Sequence, residues 1–436
     1  MLLMRAAHRR LLLSPSSTRT LRTLQARGVH FNSSAFAPLA SVQSSEYAQT
    51  HTTSDVINFG LGQPSASLLP LEMLRRAAEH RFQPEQDRAL LQYGSARGYR
   101  GFREAIAEFL SGAQTGPIDP DTLMVTAGNS QAMSHAAMVL AKTNKLVFVE
   151  EPTYFLAFDI FRELGLQLST LPVDSHGLDV DALEGRLVAG EIPAFIYTIP
   201  FFHNPTGAVM PTERCKRLVS LAQEYGFSII ADEPYNFLRF DGPSLPSLAS
   251  YDDTGCVVSL GSFSKILAPG LRLGWAQSSK ETIQELSAVG ALRSGGGQNP
   301  VSASLVHSVL ELGELEPHLD VLKATFQSRK EVLCQSLREQ CPELHFVEPS
   351  GGYFVWVRLP AGVEADALLS IAQSRHGVAF TPGSRCSMGH DGSKSKDGAT
   401  PNAASQFVRF SFAFYSEEEI VEGIARFCQA LDETRI

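Results

Sequence analysis

Ser262-Phe263-Ser264-Lys265-Ile266-Leu267-Ala268-Pro269-Gly270-Leu271-Arg272-Leu273-Gly274 decides how this chain is read. The stretch follows a short apolar run (Val257, Val258, Leu260) and brings together a lysine, two serines and an arginine. An organic cofactor that is both an aldehyde and a phosphate ester needs such a set. The Lys265 amine condenses with the aldehyde, while Ser262, Ser264 and Arg272 hold the phosphate.

Working outward, His203-Asn204-Pro205-Thr206-Gly207 follows a strand pattern ending near Ile199, and Asp232-Glu233-Pro234-Tyr235 follows one ending at Ala231. A pyridine cofactor withdraws electrons well only while its ring nitrogen stays protonated, and a carboxylate beside that nitrogen raises its pKa. Asp232 suits that place, although an acid at a strand's end also caps turns and helices. Asn204 and Tyr235 can donate to the ring's phenolate oxygen. Thr126-Ala127-Gly128-Asn129-Ser130-Gln131-Ala132 runs from the apolar Met124-Val125 into a helix pattern, so Asn129 and Ser130 open a helix whose free N–H groups favour a phosphate. Tyr154 suits stacking on the cofactor ring, and equally a packed core aromatic. In Phe407-Val408-Arg409-Phe410-Ser411-Phe412, strand alternation sets Phe410 and Phe412 on one face and Arg409 with Ser411 on the other. A guanidinium there is either a clamp for a substrate α-carboxylate or an edge-strand arginine in solvent.

From about residue 95 to 325, short apolar runs (146–149, 194–199, 228–231, 257–260) alternate with amphipathic stretches such as 211–225. The pattern predicts an α/β fold, a mostly parallel sheet flanked by helices. Ligands in such sheets bind at the carboxyl ends of strands, where each motif above falls. From about residue 326 a long helix pattern and two alternating strands, 353–359 and 407–412, predict a smaller α+β domain. Its last helix opens on a capping box, Ser416 and Glu419. Residues 387–405, rich in Gly, Ser, Lys and Asp, read as a surface loop.

The net charge is −9, yet residues 1–45 hold six arginines and no acid, so the body of the chain is more acidic still. That balance argues against a nucleic-acid partner. The basic, Ser- and Leu-rich first 45 residues have the composition of a mitochondrial presequence, which predicts the matrix, or the cytoplasm if the segment is only a basic tail. No uninterrupted apolar run reaches membrane-spanning length, so no membrane partner is expected. The six cysteines lie scattered without a C-x-x-C pair. This predicts neither a zinc site nor a disulfide framework.

Together, these segments resemble the class I/II aminotransferases of fold type I, over roughly residues 55 to 432. The resemblance implies pyridoxal 5'-phosphate as cofactor, amino acids and 2-oxo acids as substrates, no metal, and a fold-type I PLP-transferase with a seven-stranded-type sheet. After the presequence read at 1–45 from composition, the expected parts are a segment 46–90 joining the small domain, a large cofactor-binding domain at 91–325 and a small domain at 326–436. Asn204, Asp232, Tyr235, Lys265 and Arg272 match family cofactor residues, and Arg409 matches the substrate-carboxylate arginine. Gly62, in Gly60-Leu61-Gly62-Gln63-Pro64, matches the glycine whose backbone lines the substrate mouth. Tyr93, in Gln92-Tyr93-Gly94, looks like the family tyrosine that reaches the neighbouring subunit's phosphate, which implies a homodimer. Gly128-Asn129-Ser130 departs from the Gly-Ser-Gln common in relatives.

Residues 91–106 and 197–207 look most like the 2-aminoadipate and aromatic (kynurenine-type) branch. That branch includes aminotransferase-like domains of bacterial regulators, but no room for their DNA-binding helix-turn-helix is expected before residue 55. The same scaffold supports C–S lyases and aminocyclopropane-carboxylate synthases, so a lyase or synthase is the alternative. Phe201, Phe202 and Tyr154 would admit a large apolar side chain. Arg97 or Arg293 would instead meet a distal carboxylate, and residues 294–299 are a candidate for the substrate entrance.

Overall fold

In the computed structural model, described over residues 55–83, 88–112, 116–388 and 403–434, every described residue belongs to one compact unit, Glu46–Ile436. The expected presequence lies outside the described residues, as does most of the expected loop at 387–405.

A large sheet runs in the spatial order Leu123–Thr126, Gly274–Gln277, Val257–Ser262, Ser228–Asp232, Phe195–Thr198, Leu146–Glu151 and Gln167–Asp174. An eighth strand of only two residues, Gly177–Leu178, closes the far edge, one more than the seven-stranded type expected. All pairings are parallel except those of Gly274–Gln277 and of that edge hairpin. The central strands are buried along nearly their whole length, and all six residues of Val257–Ser262 are buried. Sheets covered by helices on both faces select such continuous apolar runs. Helices including Asn129–Leu140 and Thr212–Tyr225 connect the strands, the latter starting one residue inside the predicted 211–225.

The chain's last third forms a second sheet, antiparallel, ordered His345–Phe346, Phe354–Arg358, Phe407–Ser411 and Thr381–Pro382. Both faces of Phe407–Ser411 are covered: Val408 and Phe410 are buried, and so are Arg409 and Ser411. A solvent-facing arginine is therefore ruled out at Arg409. Helices Leu315–Gln340 and Glu417–Glu433 pack together nearby. Both halves of the capping box form, Ser416 N donating to Glu419 Oε2 (2.8 Å) and Glu419 N to Ser416 Oγ (3.3 Å).

The cysteines correct one expectation. Cys341, just past the first of these helices, and Cys428, inside the second, form a disulfide across 87 residues of sequence. Their Cα atoms are 6.1 Å apart because the two helices pack side by side, a proximity that spacing does not encode. Among the described residues no His/Cys/Asp/Glu group is placed to hold a metal, and no helix is long and apolar enough to cross a membrane.

Candidate active site

Asp232 ends one parallel strand and Ser262 the next, while Thr126 ends a third, so the motif residues collect at the sheet's carboxyl edge. They border a cavity of about 400 Å³, whose other wall comes from Phe354, Thr381 and Arg409 of the second sheet.

Lys265 stands on the four-residue helix Phe263–Ile266, capped by Ser262, whose hydroxyl accepts from Ser264 N at 3.1 Å. Its Nζ donates to Gly62 O (2.5 Å), and Tyr353 OH donates to its carbonyl (3.0 Å). Burial lowers the amine to about 8, the Arg409 and Arg272 charges pushing the same way and Asp232 opposing them.

Asp232 is 5 % exposed and held from both sides. Asn129 Nδ2 donates to Oδ1 (2.6 Å) and Tyr197 OH to Oδ2 (2.9 Å). Burial raises its pKa, partly offset by those two hydrogen bonds and by the Lys265 charge. The Asn129 side chain has a role the sequence did not suggest. It serves Asp232 and Leu260 O (3.0 Å) rather than a phosphate, which leaves the backbone of the helix start for an anion. Tyr197 was not picked out from sequence. A tyrosine inside the buried strand Phe195–Thr198 was the available signal, because a buried phenol must find an acceptor.

Arg272 Nη1 donates to Ser264 Oγ (3.2 Å) and Pro269 O (3.2 Å), and Nη2 to Ala127 O (3.4 Å). This brings the Lys265 segment against the Gly128 turn. Gly128 has φ +84°, and a Cβ there would stand 2.7 Å from Arg272 Nη2. Arg272, Ser262, Ser264 and the helix start at Asn129-Ser130 thus make a cradle that a methyl group would fill.

Arg409, 3 % exposed, donates to Asn204 Oδ1 (2.8 Å), Gly60 O (2.8 Å) and Thr381 Oγ1 (3.0 Å), with its guanidinium 4.2 Å from the Phe354 ring centre. These partners are neutral oxygens, and its Nε has no hydrogen-bond partner among the described residues. Burial pulls its pKa below the ordinary value. A buried cation without a counter-ion is expensive, and a carboxylate ligand removes that cost.

Beneath Asn204 lies a second group that sequence reasoning missed. Glu150, fully buried, accepts from Thr198 Oγ1 (2.6 Å) and Ile199 N (2.8 Å) and pairs with His203 Nε2 (3.1 Å). It ties the loop carrying Asn204 to the neighbouring strand. Tyr154 and Tyr235 both line the cavity; burial raises the first to about 12 and pushes the second well up.

Every residue picked out for the site borders this cavity except Tyr93, which is 82 % exposed and outside it. Three further groups also stand outside this chain's own cavity. Phe201 and Phe202 are buried in the core rather than at the cavity. Arg97 is paired with Asp121, and Arg293 lies on the helix Gly290–Gly295 away from the lining. Residues 294–299 contribute nothing to the lining either. Another arginine, Arg385, stands there instead. A desolvated amine, a cradled buried carboxylate, an anion cradle and an uncompensated arginine in one cavity fit a phosphorylated pyridine aldehyde and an amino-acid carboxylate.

The family model described as "Aminotransferase class I and II" matches residues 54–427. An aromatic-amino-acid aminotransferase of Thermococcus litoralis is 32% identical, over 87% of this chain and 89% of its own length. A 2-aminoadipate transaminase of Thermus thermophilus is 33% identical, over 86% of this chain and 90% of its own. The solved kynurenine aminotransferase of Pyrococcus horikoshii, in complex with PMP, superposes with a TM-score of 0.78 at 27% identity, over 97% of this chain and 96% of that one.

Proposed function

The chain belongs to the class I and II aminotransferases and uses pyridoxal phosphate, and from that premise we propose that it exchanges amino groups between an aromatic or 2-aminoadipate-like L-amino acid and a 2-oxo acid. One observation carries the reading: a desolvated lysine amine and a buried arginine with only neutral partners border the same cavity.

When bound, the cofactor acts as an electron sink that makes the substrate's Cα–H bond acidic. Arg409 and Asn204 hold the α-carboxylate and so orient that bond. Lys265 Nζ takes the Cα proton as general base and releases it again as general acid. Its pKa of about 8 leaves a useful neutral fraction near neutrality. Asp232 holds a proton on the ring nitrogen, and Tyr197 and Asn129 keep the carboxylate aimed there. Arg272, Ser262, Ser264 and the N–H groups at Asn129-Ser130 grip the phosphate. Tyr154 would stack on the ring, Tyr235 and Asn204 would donate to its phenolate oxygen, and Gly62 lines the substrate mouth. The exposure of Tyr93 supports a homodimer in which the partner subunit's Tyr93 completes the phosphate site. The six arginines and absent acids of residues 1–45 support import into the mitochondrial matrix.

The test is spectroscopic. Full-length protein loaded with pyridoxal phosphate is titrated with single amino acids and no 2-oxo acid. Loss of the yellow absorbance, with one 2-oxo acid formed per site, is the expected result. Persistent absorbance with release of ammonia or a thiol overturns it in favour of a lyase.

A further inference from the structure

Asn204 has two tasks in the reaction proposed above: it seats the α-carboxylate with Arg409 and donates to the cofactor's phenolate oxygen. Both need its side chain held in one place. Arg409 Nη1 can only donate, so Asn204 Oδ1 faces it (2.8 Å) and the Nδ2 end is left for the cofactor. The preceding residue, His203, is wholly buried, and so is Glu150 near the end of the strand Leu146–Glu151. Thr206 N donates to His203 Nδ1 (3.3 Å), which makes Nδ1 the accepting nitrogen. The ring proton therefore sits on Nε2, 3.1 Å from Glu150 Oε2. Thr206 Oγ1 adds a second bond to Nδ1 (2.9 Å) and accepts from Ala208 N (3.3 Å). Glu150 accepts at the same time from Thr198 Oγ1 (2.6 Å) and Ile199 N (2.8 Å), where the strand Phe195–Thr198 leads into the loop. The imidazole is thus gripped at both nitrogens, and one peptide bond joins its residue to Asn204.

We propose that Glu150 and His203 are positioning residues for the reaction: the Glu150–His203–Thr206 relay fixes Asn204 where it meets both Arg409 and the cofactor's phenolate oxygen. The proposal rests on the preceding reading for those two tasks of Asn204. Neither Glu150 nor His203 borders the cavity, so neither touches substrate or cofactor. Desolvating such a pair costs more than packing an apolar pair of the same shape, which fits a role in specifying geometry rather than in stability. The Glu150 charge also opposes ionisation of Asp232, so the hydrogen bonds and the charge must be separated by experiment.

The test compares wild-type, H203F, T206V and E150Q proteins, full-length and loaded with pyridoxal phosphate, by two readouts. The first is the pH midpoint of the change in yellow absorbance. A donor to the phenolate oxygen weakens that oxygen's hold on the proton of the neighbouring Lys265 nitrogen, so losing the donor moves the midpoint up. H203F keeps a ring but no nitrogen, and is expected to raise the midpoint by about one pH unit, the scale of one hydrogen bond. The second readout is calorimetric binding of the unreactive 4-methylpentanoate, expected to weaken about tenfold with H203F as Asn204 leaves the carboxylate seat. T206V cuts only the far end of the relay and is expected to move both readouts the same way by less. E150Q removes the charge, yet its amide oxygen still accepts from His203 and Ile199 while its amide nitrogen donates to Thr198. It is expected to stay within about half a pH unit and about threefold of wild type. Wild-type midpoint and carboxylate binding in H203F, or in T206V should H203F not fold, overturn the proposal. So does a loss in E150Q as large as in H203F, which assigns the effect to the Glu150 charge. If the wild-type protein forms no 2-oxo acid from any amino acid, it is the aminotransfer reading that fails, and the two readouts, which need no turnover, still decide the relay.

Discussion

Lys265 shows how a residue's task appears as an energetic cost. The free side chain titrates near 10.5, and the fold holds the amine at about 8. Between those values the unfolded chain binds a proton that the folded chain does not, so stability rises with pH across that window. Below about pH 8 both states are charged and the folded one bears the whole penalty, about 2–3 kcal/mol for a partly solvent-facing side chain. Lys265→Met in cofactor-free protein is therefore expected to raise the unfolding free energy at neutral pH and to flatten its slope between pH 8 and 10.5. Urea denaturation at several pH values checks this, and a slope unchanged from wild type would refute the desolvated amine. The same variant is expected to lose all turnover. Lysine with its flanking serines was legible in sequence because those residue types serve one chemistry. The side-chain direction of Asn129 was not, since Asp232 lies 103 residues away.

Among the elements, the turn from strand Leu123–Thr126 into helix Asn129–Leu140 carries the constraint that bears on the phosphate cradle. Gly128 sits at φ +84° with Arg272 Nη2 where a Cβ would go. Gly128→Ala thus combines backbone strain of about 1–2 kcal/mol with displacement of the phosphate-facing arginine. Cofactor affinity is expected to fall about tenfold or more, a change of about 1.4 kcal/mol or above. Fluorescence titration of cofactor-free protein with pyridoxal phosphate measures it, and wild-type affinity in the alanine variant would show that the cradle is elsewhere. The long buried strands were legible because a parallel sheet covered on both faces demands uninterrupted apolar runs. Gly274–Gln277 was not, being four residues with a glycine and a glutamine. Nor were the two-residue strands such as Thr381–Pro382, whose conformation comes from their partners rather than from periodicity.

At the scale of the whole molecule, the proposed dimer makes each cavity depend on two chains. Lys265→Ala and Tyr93→Ala place their defects on different subunits of one site. A hybrid of the two variants has one site bearing both defects and one bearing neither. Mixing two inactive or weakened homodimers under conditions of subunit exchange is expected to restore activity toward half of wild type in each hybrid molecule. No recovery, with exchange verified by mass spectrometry, would remove Tyr93 from the partner's site.

Much of this protein was determined by sequence alone. The apolar runs specify the α/β sheet, and the Lys265, Asp232, Asn204 and Arg409 segments carry a recognisable chemistry because each sits in a local pattern of residue type and spacing. Tertiary structure alone decided which distant groups meet. It buried Arg409 against Asn204, 205 residues away, and set Tyr197 beneath Asp232. It also closed Glu150 onto His203 and joined Cys341 to Cys428. The reason is physical: a buried polar or charged group must find a partner wherever packing brings one, and that partner's place in the chain is set by the crossing of strands and helices, not by local pattern.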